Sequence, residues 1–340
     1  MPDVAVAGGG PVGLATALYA VRAGLSVTVF EPRAGVIDKA CGEGLMPGAV
    51  AALDHLGVAV DGIALRGIRY LGSGRTAAAL FRDGTGRGVR RTTLHAALRS
   101  AVEAAGVPIV ARPVGEVRQD EAGVTVDGEP ARYLVAADGL HSPVRRRLGL
   151  DAPVAGARRY GLRGHVRTVP WTDLVEVHWA ARSEAYVTPV EPDQVGVAVL
   201  TSERGGLEQH LQAFPVLRDR LDGLTWSAAR GAGPLRQRSR RRVAGRVLLV
   251  GDASGYVDAL TGEGLAIGFA QARAAVDAIA LDRPDGYEKT WRQVTWRYEL
   301  LTRGLLGAAR RPPVRRALVP AAAALPAVFG AAVNELGRVR

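Results

Sequence analysis

The stretch VAVAGGGPVGLATAL at residues 4–18 constrains the fold more than any other part of the chain. Four small apolar residues in a row read as a strand buried on both faces. Glycines and a proline follow, and then apolar residues at helical spacing. Residues 8–13 fit G-x-G-x-x-G, and the next strand-like run, LSVTVFE at 25–31, closes on Glu31. A βαβ unit with this turn and this acidic residue is a dinucleotide-binding unit. Gly8 permits the tight turn, Gly10 lets the backbone approach a pyrophosphate, and Gly13 lets the helix pack close to the sheet. The helix N-terminus offers N–H groups and partial positive charge to the phosphates. Glu31 is expected to accept hydrogen bonds from the adenosine ribose. Gly8, Gly10, Pro11, Val12, Gly13, Glu31 and Arg33 are therefore candidate cofactor contacts. The motif alone does not separate FAD from NAD.

A second strand, glycine turn and helix occur far along the chain, in VLLVGDASGYVDALTGEGLAIGFAQA at 247–272. A chain of 340 residues has room for two domains, or for one with an inserted part. Its one cysteine, Cys41, excludes a disulfide framework, a Cys-rich zinc site and a dithiol redox pair. No His, Cys or Asp spacing suggests a metal. The net charge of +11 is almost all arginine, since Lys39 and Lys289 are the only lysines. No nucleic-acid motif accompanies that charge, so no nucleic-acid partner is expected. A strand begins just after Met1 with no basic n-region before it, which gives the expectation of a cytoplasmic protein.

Between the two turns, residues 92–105 read as an amphipathic helix and 114–127 as a hairpin. ARYLVAADG is a buried strand that ends in Asp138-Gly139. Residues 159–202 alternate as an antiparallel sheet with one wet face, and 207–222 look helical. The expected fold class is α/β, a Rossmann-like dinucleotide-binding domain, which the family resemblance given next makes an FAD-binding domain, with an antiparallel-sheet substrate domain and C-terminal helices. The expected division is 1–155 for the first part of the FAD-binding domain, with a small insertion near 60–88. Residues 156–240 form the substrate-side sheet, 241–285 the last part of the FAD-binding domain, and 286–340 a helical region. Within the tail, ALVPAAAALPAVFGAAV at 317–333 is apolar but short for a membrane span and broken by Pro320 and Pro326. It reads as packed terminal helices, with contact to a lipophilic ligand or a membrane surface as the lesser reading.

Three motifs occur in order: GGGPVG at 8–13, ADGLHSPVR at 137–145 and VGDASGYVDALTGEG at 250–264. The set resembles the FAD-dependent aromatic hydroxylase-like superfamily, the class A flavoprotein monooxygenases, near its geranylgeranyl reductase-like branch. The resemblance implies FAD as cofactor and NAD(P)H as reductant, without a separate NAD(P)H domain. It places Gly251 and Asp252 at the ribityl chain. It places Gly262, Gly264 and Leu265 at the pyrimidine edge of the flavin ring, where a helix N-terminus stabilises the negative charge of the reduced ring. Asp138 is implied at FAD and, by proposal, at the reductant. Arg91, in RTTL, is implied near the phosphates or ribityl, where a guanidinium suits phosphate; Arg90 sits one register away. The first turn then holds the adenosine diphosphate end, and the second holds ribityl and ring.

The sequence departs from the hydroxylases, with Gly255 in place of a His and Ala259 in place of a Pro. KACGEGL at 39–45 is closer to the reductase branch, yet EAYVTPV at 184–190 lacks that branch's Trp and Phe. Cys41, Met46, His178 and Tyr186, with Trp179, are candidate substrate-pocket residues, each equally able to serve as core. The expected function is FAD-dependent oxygenation, by NAD(P)H and O2 through a flavin C4a-hydroperoxide, of a small lipophilic or aromatic metabolite. Reduction of isoprenoid-type double bonds is the alternative, and a non-catalytic FAD- or lipid-binding protein the second. No catalytic residue, substrate identity or oligomeric state follows from the sequence.

Overall fold

The computed structural model describes residues 1–338. The strand Val4–Ala7 is fully buried and lies near the middle of a six-stranded sheet. It pairs in parallel with Val27–Phe30 on one side and Tyr133–Ala136 on the other. Val247–Leu249 pairs in parallel with Tyr133–Ala136, so the two glycine turns leave the same end of one sheet. Ile109–Val110 and the antiparallel Val243–Ala244 form the edges. All four inner strands are short apolar runs, as a sheet covered on both faces requires.

Helices α1 (Pro11–Arg22), α2 (Pro47–Leu56) and α3 (Arg91–Ala104) start within the first third of the chain. Leu14, Ala15 and Leu18 of α1 and Leu94, Leu98 and Val102 of α3 share one buried core on a face of the sheet. The opposite face packs on Val124, Val126 and Ala131. These belong to a meander of Val117–Gln119, Val124–Val126 and Glu129–Ala131, which extends the expected hairpin by a strand. The short α4 (Pro143–Arg147) follows Asp138-Gly139 and is capped by Ser142, whose Oγ accepts from Arg145 N at 2.9 Å.

The second sheet has seven strands. Tyr160–Arg167, Leu174–Trp179, Ser183–Glu191 and Gln194–Thr201 are its centre, and Arg230–Ala232 is one edge. The stretch expected as a small insertion instead supplies Gly67–Gly72 and Arg75–Leu80, the other edge; Gly67–Gly72 pairs in parallel with Leu174–Trp179. The expectation of a wet face is corrected. Val187, Val197 and Val199 pack beneath α5 (Leu207–Leu211) and α6 (Pro215–Leu221), while Tyr186 and Leu200 point to the other core. Alternation of large apolar residues on both parities means both faces are covered. The helical stretch at 207–222 breaks before Pro215, which starts α6 at its first helical position.

Helix α7 (Gly264–Ala280) packs Phe269, Ala272 and Ala275 into the same core as α1. Helix α8 (Gly286–Ala309) crosses behind the second glycine turn. Its Trp291 Nε1 donates to Ser254 Oγ at 2.9 Å and its Tyr298 OH to Asp258 O at 2.9 Å. Helices α9 (Pro312–Ala324) and α10 (Pro326–Leu336) then close over the outer strands of the second sheet. Arg315 donates to Ala180 O and Ser183 O and forms an ion pair with the fully buried Glu184.

Candidate active site

A cavity of about 1050 Å³ opens where the glycine turns face the second sheet. Gly8, Gly10, Pro11 and Val12 line it at the first turn, and Arg33 at the end of the second strand. Asp138, Gly251 and Asp252 line it from the strand ends, and Gly262, Gly264 and Leu265 from the start of α7. Arg91 lines it from the first turn of α3, whereas Arg90 turns away to Glu191 at 3.9 Å. Of the two arginines, only Arg91 is on the cavity wall.

Gly13 and Glu31 stand behind the lining. Gly13 is a close-approach glycine: a Cβ there would lie 1.8 Å from Gly8 O. Gly8 itself has φ +104°, a conformation that costs glycine little. The Glu31 carboxylate is 2% exposed. Its Oε2 accepts from Gly9 N at 2.9 Å and from Arg33 Nη2 at 3.0 Å, and its Oε1 from Arg33 Nε at 2.8 Å. Burial opposes its ionisation, but the Arg33 and Gly9 hydrogen bonds outweigh burial and hold the carboxyl below its ordinary value. Glu31 closes the second strand behind the cavity wall, with its carboxylate oxygens taken by Arg33 and Gly9.

Three residues that line the cavity carry a buried, unpartnered polar atom: Arg91 Nε, Asp138 Oδ1 and Arg163 Nε. Asp138 Oδ2 accepts from Val144 N at 3.0 Å, so this aspartate also ties down α4. Burial pushes its carboxyl above the ordinary value. Buried polar atoms without partners are uncommon, and these belong to residues that line the cavity.

The far wall is apolar and aromatic, with Ile68, Tyr70, Val177, Leu200 and Leu235 on it. Met46, Cys41 and Tyr186 line the cavity too, and Tyr186 OH donates to Leu260 O at 2.8 Å. His178 is a correction. Val175 and Val177 face the cavity, so the strand's alternation turns His178 to the opposite face, where its Nε2 lies 3.3 Å from Glu176 Oε2. Trp179 lies beyond the lining, its ring tilted at 58° to that of Tyr70 and covered by the Arg315 guanidinium.

Several residues at the site escaped the sequence reading. Lys39 lines the cavity with its Nζ 3.5 Å from Asp252 Oδ2. Its one signal was rarity, as one of two lysines in an arginine-rich chain. Glu43, at φ +59°, is 3% exposed and ties three elements together. Its Oε1 accepts from Arg91 N at 2.8 Å at the start of α3, and its Oε2 lies 2.6 Å from His165 Nε2 on the second sheet. Arg163 adds an ion pair to Asp38 in the same loop. The loop that carries Lys39 and Cys41 is thus pinned between the two sheets. Arg145, 1% exposed, donates to Asp252 O, Ala253 O and Leu140 O and pairs with Asp151 at 2.6 Å. It staples the Asp138 turn to the Asp252 turn. No group of His, Cys, Asp and Glu among the described residues could hold a metal ion.

Comparison with known proteins adds a family. Residues 1–282 match the family described as FAD binding domain. The menaquinone reductase of Mycolicibacterium smegmatis is 29% identical over 325 residues, covering 85% of this chain and 79% of that protein. The rifampicin monooxygenase of Streptomyces venezuelae is 29% identical over 306 residues, covering 80% of this chain and 62% of that protein. A geranylgeranyl bacteriochlorophyll reductase-like protein of Thermoplasma acidophilum superposes with a TM-score of 0.77 at 22% identity, over 94% of this chain and 90% of that one. The last likeness is one of fold.

Proposed function

The chain belongs to the FAD binding domain family, and on that premise we propose that it is a monooxygenase. It uses NAD(P)H and O2 to oxygenate a small lipophilic or aromatic molecule. One observation carries the reading: a single cavity joins both glycine turns to an apolar chamber under the second sheet. At about 1050 Å³ it lies at the top of the usual 300–1,000 Å³ range for one ligand, so it has room for cofactor and substrate together.

The residues present fit FAD. The cradle at Gly8 and Gly10 has no side chain to fill it, and Arg91 Nε and Asp138 Oδ1 are buried without partners beside it. Bound FAD supplies two-electron redox chemistry and, when reduced, the activation of O2. The chain's own residues do the rest. Gly8, Gly10 and the start of α1 hold the pyrophosphate, with Arg91 as its counter-charge. Glu31 takes the ribose hydroxyls as Arg33 moves aside. Asp252 orients the ribityl chain, with Lys39 beside it. The start of α7, at Gly262, Gly264 and Leu265, presents the positive end of a 17-residue helix to the ring. Ile68, Tyr70, Val177 and Leu200 keep water from the reacting face and receive an apolar substrate.

Turnover under heavy-isotope O2 tests the reading, with substrates screened by NAD(P)H oxidation. The expected product forms only with O2 and carries one labelled oxygen atom. The second reading, reduction of a double bond or quinoid ring, is favoured by the Cys41 thiol on the cavity wall and by the likeness to a menaquinone reductase. An unlabelled product, formed without O2 and two hydrogens heavier, selects it.

A further inference from the structure

The apolar stretch at 317–333 has no part in the reading above. It folds into α9 and α10, which meet at Leu325 with a bend of 103°. One side of this elbow is sunk into the protein. Val319, Phe329 and Val333 are buried, and the Phe329 ring centroid is 4.8 Å from that of Tyr70. The other side is bare: Leu325 is 57% exposed and Val328 63%, with Ala324, Ala327 and Ala331 exposed around them. No charged residue occurs between Arg316 and Glu335. A surface helix normally turns its polar side outward; these two helices turn out alanine, leucine and valine. Exposed apolar patches of this kind mark interaction sites.

The surroundings say what covers it. Arg310, Arg311 and Arg316 are exposed at the base of the elbow, and the whole chain carries a net charge of +11. An apolar tip with exposed arginines roughly 13–22 Å behind it along α9 matches the order of acyl chains and anionic headgroups at a bilayer surface. Neither helix is a span. With 13 and 11 residues they are about 20 Å and 16 Å long, against a hydrocarbon core of about 30 Å. The inner side of α10 puts Val333 and Leu336 on the wall of the large cavity, so the bare face and the cavity share one helix.

We propose that the α9–α10 elbow is a membrane-docking surface, which seats the protein on an anionic lipid bilayer with the cavity wall beside the lipid. The docking stands whatever chemistry the flavin does. That the cavity takes its lipophilic substrate from the bilayer rests on the oxidoreductase reading.

The test is co-sedimentation of the holoprotein with two sets of vesicles, phosphatidylcholine alone and phosphatidylcholine with phosphatidylglycerol in equal parts. The holoprotein is expected to bind the anionic set, and less strongly as salt rises. The double variant Leu325→Glu with Val328→Glu should bind at least about tenfold more weakly. The triple variant Arg310→Gln, Arg311→Gln, Arg316→Gln should lose about ten- to a hundredfold on anionic vesicles and much less on neutral ones. Unchanged flavin content and melting temperature in both variants separate docking from misfolding. Absence of wild-type binding to the anionic set, or undiminished binding of the Leu325→Glu, Val328→Glu variant, overturns the proposal. So does a dimer in sedimentation velocity that this variant dissociates, because a second copy then covers the elbow.

Discussion

Glu31 shows how much one side chain can be asked to do. Its two oxygens already receive Gly9 N and the Arg33 fork, so the ribose must displace part of that set. Charge-assisted bonds of this kind contribute roughly 1.5–3 kcal/mol each. Glu31→Ala is therefore expected to weaken FAD binding by about ten- to a hundredfold, read by flavin titration of the apoprotein. Unchanged affinity would mean that the adenosine end lies elsewhere. Cys41 gives the opposite kind of expectation. On the oxygenation reading its thiol only lines the cavity, and Cys41→Ser should keep flavin bound and reducible, with turnover within about tenfold. A variant full of flavin yet dead would assign the thiol a proton to donate, as reduction requires. At this scale the sequence picked out cavity-lining residues that sit in local motifs, such as Gly8, Asp138 and Asp252. It hid those that act across the fold: Glu43 meets His165 122 positions away, and no local pattern announces such a meeting. His178 was misplaced because one step along a strand reverses the face.

Among the elements, α7 carries the sharpest electrostatic question. Glu263 precedes its first residue, is 2% exposed, and has Oε2 without a partner. Burial raises its carboxyl to about 9. A neutral acid here leaves the positive end of α7 unopposed, which suits a ring that becomes negative on reduction. The same shift predicts a pH dependence. Unfolded, the group titrates near 4.5. Between that value and about 9 the folded state keeps a proton that the unfolded state gives up, so the stabilisation present at low pH drains away as pH rises. Glu263→Gln removes the titration. Its melting temperature should gain on the wild type steadily between about pH 5 and pH 9, for a difference on the order of 5 kcal/mol across that range. Parallel melting profiles would sink the idea. Element type was largely legible, since buried runs and helical spacing are local. The wet face was misjudged because the cover comes from α5 and α6, which follow in sequence but fold back over the sheet.

On the scale of the whole molecule, the cavity is a seam closed by parts from both ends of the described chain, from Gly8 to Leu336. A ligand in such a seam holds its walls together. FAD at about a hundredfold over its dissociation constant should add about 2.7 kcal/mol to stability. For a protein of 340 residues that is a rise of roughly 4 °C in melting temperature, measured by scanning the apoprotein with and without FAD. A shift near zero would mean that FAD does not bind the folded chain. Three ordered motifs made this architecture readable in advance, because each glycine turn needs a strand before it and a helix after it. The membership of residues 67–80 in the far sheet was not readable, since strand pairing across a hundred positions leaves no trace in either segment alone.

The strand order has a last consequence, for the chain as it is made. Tyr133–Ala136 takes its outer partner from Val247–Leu249, and the loop after that partner is fastened by Trp291. A ribosome delivers these pieces in order, so through much of synthesis the nascent chain holds a half-finished sheet. Its open edge is apolar and free to pair with a neighbouring chain. Chaperone capture of stalled nascent chains should be strong before residue 247 and fade once α8 has emerged.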